Sequence, residues 1–141
     1  MVYKSNGWIW ITLTFFVLVI GFAFPVYSDF YIVANKDFPP VSQKEIKELF
    51  LGFKSSLSTG QIPTLIISRE VGKEFAEKFL GIQYNEFKAH WMSKAFAGVT
   101  ILPKQIGSVE AIDILKRDPN AIGVVPKTEK IDGLKVLLEV K

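Results

Sequence analysis

Apolar residues beyond position 29 switch between continuous runs and a helical spacing. The runs at 30–34 and 64–68 are rich in β-branched and aromatic residues, which is typical of buried strands. Two further runs, 121–125 and 134–140, predict strands near the end of the chain, and the short stretch 99–102 is extended. Strands and helices that alternate in this order favour an α/β domain, in which helices pack on a mostly parallel or mixed sheet.

Two helices are predicted between the first strand and residue 81. The first begins with a capping box, in which the Ser42 hydroxyl accepts from an early amide and Glu45 reaches back to the amide of Ser42. Its apolar positions recur at helical spacing up to Gly52, which suits a left-handed C-cap. The second helix covers 71–80 and ends at Gly81 for the same reason.

Two more helices are predicted before the strand at 121–125. The third, over 85–96, carries large apolar side chains that we expect to face the core. The fourth, over 109–116, follows Ser108, whose hydroxyl suits either a plain N-cap or a helix start that faces an anion. The core candidates of the third helix are Phe87, Trp91, Met92 and Phe96.

The first 28 residues have the pattern of a secretory signal peptide. Lys4 precedes an apolar run at 8–24, and cleavage after Ser28 fits the small residues that follow the run. An uncleaved inner-membrane anchor formed by 8–24 is the alternative, because the run is near the lower limit of about 17 residues for spanning a bilayer. The chain is therefore divided into a signal peptide at 1–28 and one domain at 29–141.

Composition narrows the chemistry that the domain can perform. The chain has no cysteine, which excludes disulfides, thiolate metal sites and lipid attachment through cysteine. A secretory signal without a lipid anchor predicts a location in the periplasm. It has 17 basic and 14 acidic residues, and this near balance gives no argument for nucleic acid as a partner. His90 is the single histidine, and we interpret it as a surface or half-buried helix residue. We expect no metal, no cofactor and no enzymatic activity.

Five short motifs follow one another along the chain: Phe50-Leu51-Gly52, Phe79-Leu80-Gly81, Trp91, Phe96-Ala97-Gly98 and Ala121-Ile122-Gly123-Val124-Val125. Their order resembles that in the phosphate-binding proteins of bacterial ABC importers. Family members close two lobes around an anion, whereas this chain resembles one lobe, from Phe30 to about Pro126. The resemblance implies a single lobe of a type II periplasmic-binding-protein-like fold, in an exported, solute-binding-like protein that serves ABC import or sensing.

The resemblance also implies where an anion would bind. In the family a Ser-Gly-Thr loop at a helix N-terminus and a preceding arginine hold part of the anion; here Ser68 and Arg69 can supply a hydroxyl and a guanidinium. The Ser-Gly-Thr loop is absent, and Glu70 brings a negative charge close to the expected anion. Gly98 and Thr100 either line the same cleft or form a turn and a strand start. The candidate ligand-binding residues are Ser68, Arg69, Gly72, Gly98, Thr100 and Ser108.

Half of a binding cage implies weak binding. One helix end contributes about 0.3–1 kcal/mol per interaction, whereas micromolar affinity requires about 8 kcal/mol. The expected partners are phosphate or a similar small anion, an ABC permease or sensor protein, and a second copy of the chain in a homodimer. A lone lobe also exposes surface that the second lobe would cover, so a protein-interaction or sensory accessory module without ligand binding is the alternative.

Overall fold

The structure is a computed structural model, and it describes residues 29–141. The signal peptide or anchor predicted at 1–28 lies outside the described residues. No helix within 29–141 is long and apolar enough to cross a membrane. In chain order the elements are β1 (Phe30–Asn35), α1 (Gln43–Phe50), β2 (Thr64–Ser68), α2, α3 (Tyr84–Phe96), β3 (Lys104–Ile106), α4 (Ser108–Arg117), β4 (Ala121–Pro126) and β5 (Leu134–Val140). Helix α2 consists of a 3-10 turn (Arg69–Val71), an α-helical turn (Gly72–Glu74) and a π-helical stretch (Phe75–Leu80).

The strands form one five-stranded mixed sheet in the order β3-β2-β4-β1-β5. Strand β2 runs parallel to β3 and β4, whereas β1 runs antiparallel to β4 and β5. The sheet therefore has a carboxyl edge, where β2, β3 and β4 end, and an amino edge, where they begin. The mixed α/β architecture is confirmed, but the stretch 99–102 forms no strand. Pro103 has no N–H to donate to a ladder, and β3 begins directly after it.

The two faces of the sheet are covered by two apolar layers. On one face the helices α1, α2 and α3 enclose an aromatic cluster in which the Phe75 ring meets Phe50 edge-on, with 4.9 Å between ring centroids. On the other face α4 packs Ala111 and Leu115 against Ile66 and its neighbours. Alternate side chains of a buried strand point to opposite faces of the sheet, so each strand contributes to both layers. This explains why the predicted strands are continuous apolar runs.

Glycines fix the closest contacts of this framework. A Cβ at Gly123 would lie 2.8 Å from the carbonyl oxygen of Ile66, so the parallel pairing of β2 and β4 has no room for a side chain there. The predicted left-handed C-caps are confirmed at Gly52 and Gly81, where φ is +74° and +75°. Only glycine adopts this backbone conformation readily.

The predicted capping box of α1 is confirmed in one half. The Ser42 hydroxyl accepts from the amide of Glu45 at 3.1 Å. The Glu45 carboxylate does not reach back to Ser42; its Oε1 accepts from Lys54 Nζ at 2.9 Å and from both the amide and the hydroxyl of Ser58 at 2.8 Å. Three donors from the following loop are a better match for a carboxylate than one amide, so Glu45 ties that loop to α1.

Helix α3 is buried much less than its sequence predicts. Phe87 is buried and Trp91 is half-buried, but Met92 and Phe96 are exposed, so the prediction that these two face the core is wrong. The neighbouring edge strand β3 has only three residues. It is too short to carry an apolar surface under the whole length of a helix of 13 residues.

Candidate functional site

Ser68 ends β2 at the carboxyl edge of the sheet. Its side chain is fully buried, and its Oγ has no hydrogen-bond partner within residues 29–141. Because side chains alternate along a strand, Ser68 lies on the same face as Ile66, which is the face that α4 covers. A buried hydroxyl without a partner costs about 1–3 kcal/mol, so this group is a polar position that packing alone does not explain.

Arg69 and Gly72 follow Ser68 in the first turns of α2. The Arg69 side chain is exposed, and no ion pair of Arg69 is present in the described part of the chain. Gly72 is buried, and a Cβ there would lie 3.3 Å from the hydroxyl oxygen of Tyr84. Because Gly72 has no side chain, Tyr84 can pack against the start of α2. Of Arg69 and Gly72, only Arg69 is exposed to solvent.

The N-terminus of α4 lies at the same edge and is occupied by a carboxylate of the chain itself. The amide of Ser108 donates to Glu70 Oε1 at 3.2 Å, and the hydroxyl of Ser108 donates to Glu129 Oε1 at 2.7 Å. Gly107 is the N-cap, so the prediction that Ser108 caps α4 with its own side chain is wrong. An acidic group suits this position, because it satisfies a free helix amide and faces the positive end of the helix dipole.

The cation Lys127, at the carboxyl edge, already has two acidic partners. Lys127 Nζ lies 2.5 Å from Glu139 Oε1 and 3.8 Å from Asp29 Oδ2. The hydrogen bond between Lys127 and Glu139 raises the pKa of Lys127 and lowers the pKa of Glu139. A free anion at this edge would meet Arg69 as an available cation and would compete with the carboxylates of Glu70 and Glu129.

Gly98 and Thr100 lie at the opposite edge of the sheet. They line a cleft of about 320 Å³ together with Pro63 and Leu65, at the beginning of β2. Ser68 stands at the far end of this strand, about 13 Å away at 3.3 Å per residue. Ser68, Arg69, Gly72 and Ser108 thus belong to segments at the carboxyl edge, where Glu70 joins α2 to α4, whereas Gly98 and Thr100 lie at the amino edge.

The amino-edge cleft is closed on one side by α3. Trp91 Nε1 donates to the carbonyl oxygen of Phe50 at 2.9 Å, and His90 Nε2 lies 2.6 Å from the carbonyl oxygen of Leu51. His90 is half-buried, as expected, and no group of three histidine or acidic residues in 29–141 could hold a metal ion. These two bonds satisfy carbonyls at the end of α1 and hold α3 against it.

Sequence reasoning missed several residues of both edges. Glu129 belongs to the loop after β4, 21 residues from Ser108, and no motif marks it. Tyr84 stands one residue before the predicted start of the third helix. The sequence shows that Glu70 places a negative charge beside Arg69. It does not show the bond from the α4 amide to Glu70, because this bond depends on the parallel pairing of β2 with β3. Lys54 and Lys94 of the amino-edge cleft carry no motif at all.

Comparison with known proteins supports the fold. No family model and no curated protein matches the chain. Among solved structures, a phosphate ABC transporter substrate-binding protein from Clostridium perfringens, solved with bound phosphate, matches with a TM-score of 0.54 and 17% identity over 77% of this chain and 44% of its own. An ABC-type phosphate transport receptor from Vibrio cholerae matches with a TM-score of 0.47 and 11% identity over 77% of this chain and 45% of its own.

The chain spans less than half the length of each of these two solved proteins. The likeness concerns the fold: residues 29–141 form an α/β domain with helices on both faces of a mixed sheet, and this fold is similar to part of the Clostridium perfringens protein. The fold predicted from the sequence is confirmed.

Proposed function

We propose that this chain is an exported, non-enzymatic protein of the solute-binding type, whose carboxyl edge recognises a small anion such as phosphate weakly. One observation carries the proposal: the unpartnered Oγ of Ser68, the exposed side chain of Arg69 and the N-terminus of α4, which Glu70 contacts, belong to segments at the edge where the parallel strands end. In α/β sheets this edge is where ligands bind. The solved protein with bound phosphate has a similar fold, which is consistent with an anion as the ligand.

The internal carboxylates set the strength of this binding. Glu70 already accepts from the Ser108 amide, so an incoming anion gains that donor only if Glu70 moves away. The Arg69 guanidinium remains as the exposed donor, whereas the Ser68 hydroxyl is fully buried. A charged hydrogen bond contributes about 1.5–3 kcal/mol. We therefore expect millimolar rather than micromolar affinity, which suits a sensor or accessory protein better than a receptor that delivers phosphate to a permease.

Calorimetric titration of phosphate into the protein purified after expression of the full chain tests this proposal. Arg69→Ala should abolish measurable binding, because it removes an exposed guanidinium that can pair with the anion. Lys116→Ala is a matched control, since Lys116 is an exposed cation near the far end of α4 and should not affect the titration. Equal binding of phosphate by wild type and Arg69→Ala would contradict the proposal that this edge is the anion site.

A second candidate function is a protein-interaction or sensory module that has lost ligand binding. The observation that favours it is the same pair of carboxylates, Glu70 and Glu129, which leave the donors of Ser108 satisfied without a ligand. This candidate predicts no heat with phosphate for wild type and for Arg69→Ala alike. It also predicts that the protein is isolated with a partner, such as a sensor protein, or as a homodimer.

A further inference from the structure

The amino edge carries an exposed apolar surface that the function proposed above does not use. Its centre is the amino-edge cleft of about 320 Å³, lined by the end of α1, the start of β2 and the loop after α3. Three apolar side chains within two residues of its lining residues in the sequence are open to solvent: Phe96 is 87% exposed, Phe53 is 75% exposed and Ile62 is 58% exposed. Large apolar side chains gathered around one cleft are typical of interaction sites.

The wall of the cleft is held in place by the fold. Gly52 allows α3 to approach closely, since a Cβ there would lie 2.7 Å from Lys94 Cε and 3.0 Å from Trp91 Cη2. The indole of Trp91 is fixed by its bond to the carbonyl oxygen of Phe50 at 2.9 Å. On its other side Trp91 borders a second hollow of about 310 Å³, which Phe87, Met92 and Pro103 line. A surface fixed in this way loses little entropy when it binds a partner.

The charge of the cleft is positive. Lys54 and Lys94 line it, and none of its lining residues is acidic. Lys54 is paired with Glu45 at 2.9 Å, whereas Lys94 makes no ion pair within residues 29–141. The site therefore offers an apolar hollow and, beside it, a cation that favours a negatively charged group.

We propose that the amino-edge cleft binds a peptide segment of a partner protein that presents an apolar side chain next to a carboxylate. The apolar side chain fills the space between Trp91 and Leu65, and the carboxylate pairs with Lys94. A bilayer would cover the rim but leave a concave cleft unfilled. A second copy of the chain, related by a two-fold axis through this surface, would place like charges against each other.

Selection of random peptides displayed on phage, against the protein purified after expression of the full chain, tests the proposal. Enriched peptides should combine Phe or Leu with a neighbouring Asp or Glu. By fluorescence anisotropy, the double variant Phe53→Ser/Phe96→Ser should bind such a peptide about ten-fold or more weakly, since aromatic residues carry much of the energy of an interface. Lys94→Gln should weaken binding about three- to ten-fold. Val109→Ser, which changes an apolar residue of α4 that is 77% exposed, should have no effect.

Several results would overturn the proposal. One is a selection that enriches no peptide, and another is an enriched peptide that binds wild type and the double variant equally well. Binding to anionic vesicles that the double variant loses would identify a lipid surface as the occupant, and a dimer that the double variant dissociates would identify a second copy. Unchanged thermal unfolding of each variant shows that lost affinity does not come from lost structure.

Discussion

The two edges of the sheet satisfy their polar groups in opposite ways. At the carboxyl edge the chain supplies its own anions, since Glu70 and Glu129 accept from Ser108. At the amino edge Phe53 and Phe96 are exposed beside a cleft that two lysines line. The edge that resembles a ligand site is thus largely satisfied within the chain, and the edge without a motif is the one left open. The surface that the sequence motifs predict as a ligand site is therefore not the surface that is most open to a partner.

Among the substitutions that act on the paired strands and on the two edges, Gly123→Ala should have the largest effect, because it lies where β2 and β4 pair. The added Cβ would lie 2.8 Å from the carbonyl oxygen of Ile66, and neither backbone can move without disturbing the sheet. We expect a loss of about 2–3 kcal/mol in the free energy of unfolding, measured by urea denaturation. Gly107→Ala is the control: its nearest neighbour is Glu70 Oε1 at 3.9 Å, and a change below about 1 kcal/mol is expected. Equal losses in both variants would show that the contact at Ile66 relaxes freely.

Glu45→Gln tests the ion pair that neutralises one lysine of the amino edge. The Glu45 carboxylate accepts three hydrogen bonds, and its side chain is 11% exposed. Replacing the charge should lower the free energy of unfolding at neutral pH by about 1.5–3 kcal/mol. Glu48→Gln is the control on the same helix, because Glu48 meets the exposed Lys44 only at 3.8 Å and should contribute under about 1 kcal/mol.

The effect of Glu45 should also depend on pH. The hydrogen bond from Lys54 lowers the pKa of Glu45 below its ordinary value of 4.5. The unfolded chain therefore binds a proton at Glu45 before the folded chain does as the pH falls, and the stabilisation disappears as the pH passes through the folded pKa. The difference between wild type and Glu45→Gln should be full above pH 4.5 and should shrink below it. A difference that stays constant under acidic conditions would contradict this assignment.

The sequence predicted the framework well because each element carries its own local signal. The strands at 64–68 and 121–125 read as apolar runs, and Gly52 and Gly81 end helices with the φ values that their positions require. Ser42 was recognisable for the same reason, since its partner Glu45 is three residues away. Such patterns depend on neighbours in the chain, and neighbours are what a sequence displays.

The candidate site was predictable only in part, because its contacts join distant segments. The bond from Ser108 to Glu129 spans 21 residues and the bond from Ser108 to Glu70 spans 38, so neither has a local pattern. One of the two interpretations of Gly98 and Thr100 places them in the same cleft as Ser68, but they stand at the other end of β2. The direction of β2 and β3 decides which edge a loop joins, and residue types along the chain do not encode that direction.

Glu70→Gln should change the carboxyl edge by a smaller amount and in two directions. Loss of the negative charge at the α4 N-terminus should reduce the free energy of unfolding by about 0.3–1 kcal/mol. The same change removes the internal competitor, so phosphate should bind about two- to five-fold more tightly in calorimetry, since 1.4 kcal/mol corresponds to ten-fold. Glu110→Gln, on the exposed surface of α4, is the matched control and should leave the titration unchanged. Unaltered phosphate affinity in Glu70→Gln would mean that its carboxylate does not compete for the anion.

Phe96→Ser should have the smallest effect on stability, and this makes it informative. Phe87 and Phe96 lie on the same helix, but Phe87 is 1% exposed and Phe96 is 87% exposed. Phe87→Ala should cost about 3–5 kcal/mol, whereas Phe96→Ser should stay within about 0.5 kcal/mol in thermal or urea unfolding. A large loss in Phe96→Ser would mean that this ring packs against the domain in solution. If the stability of Phe96→Ser is unchanged, folding does not require the exposed aromatic ring. This result would support the interpretation of the amino edge as a surface that binds a partner.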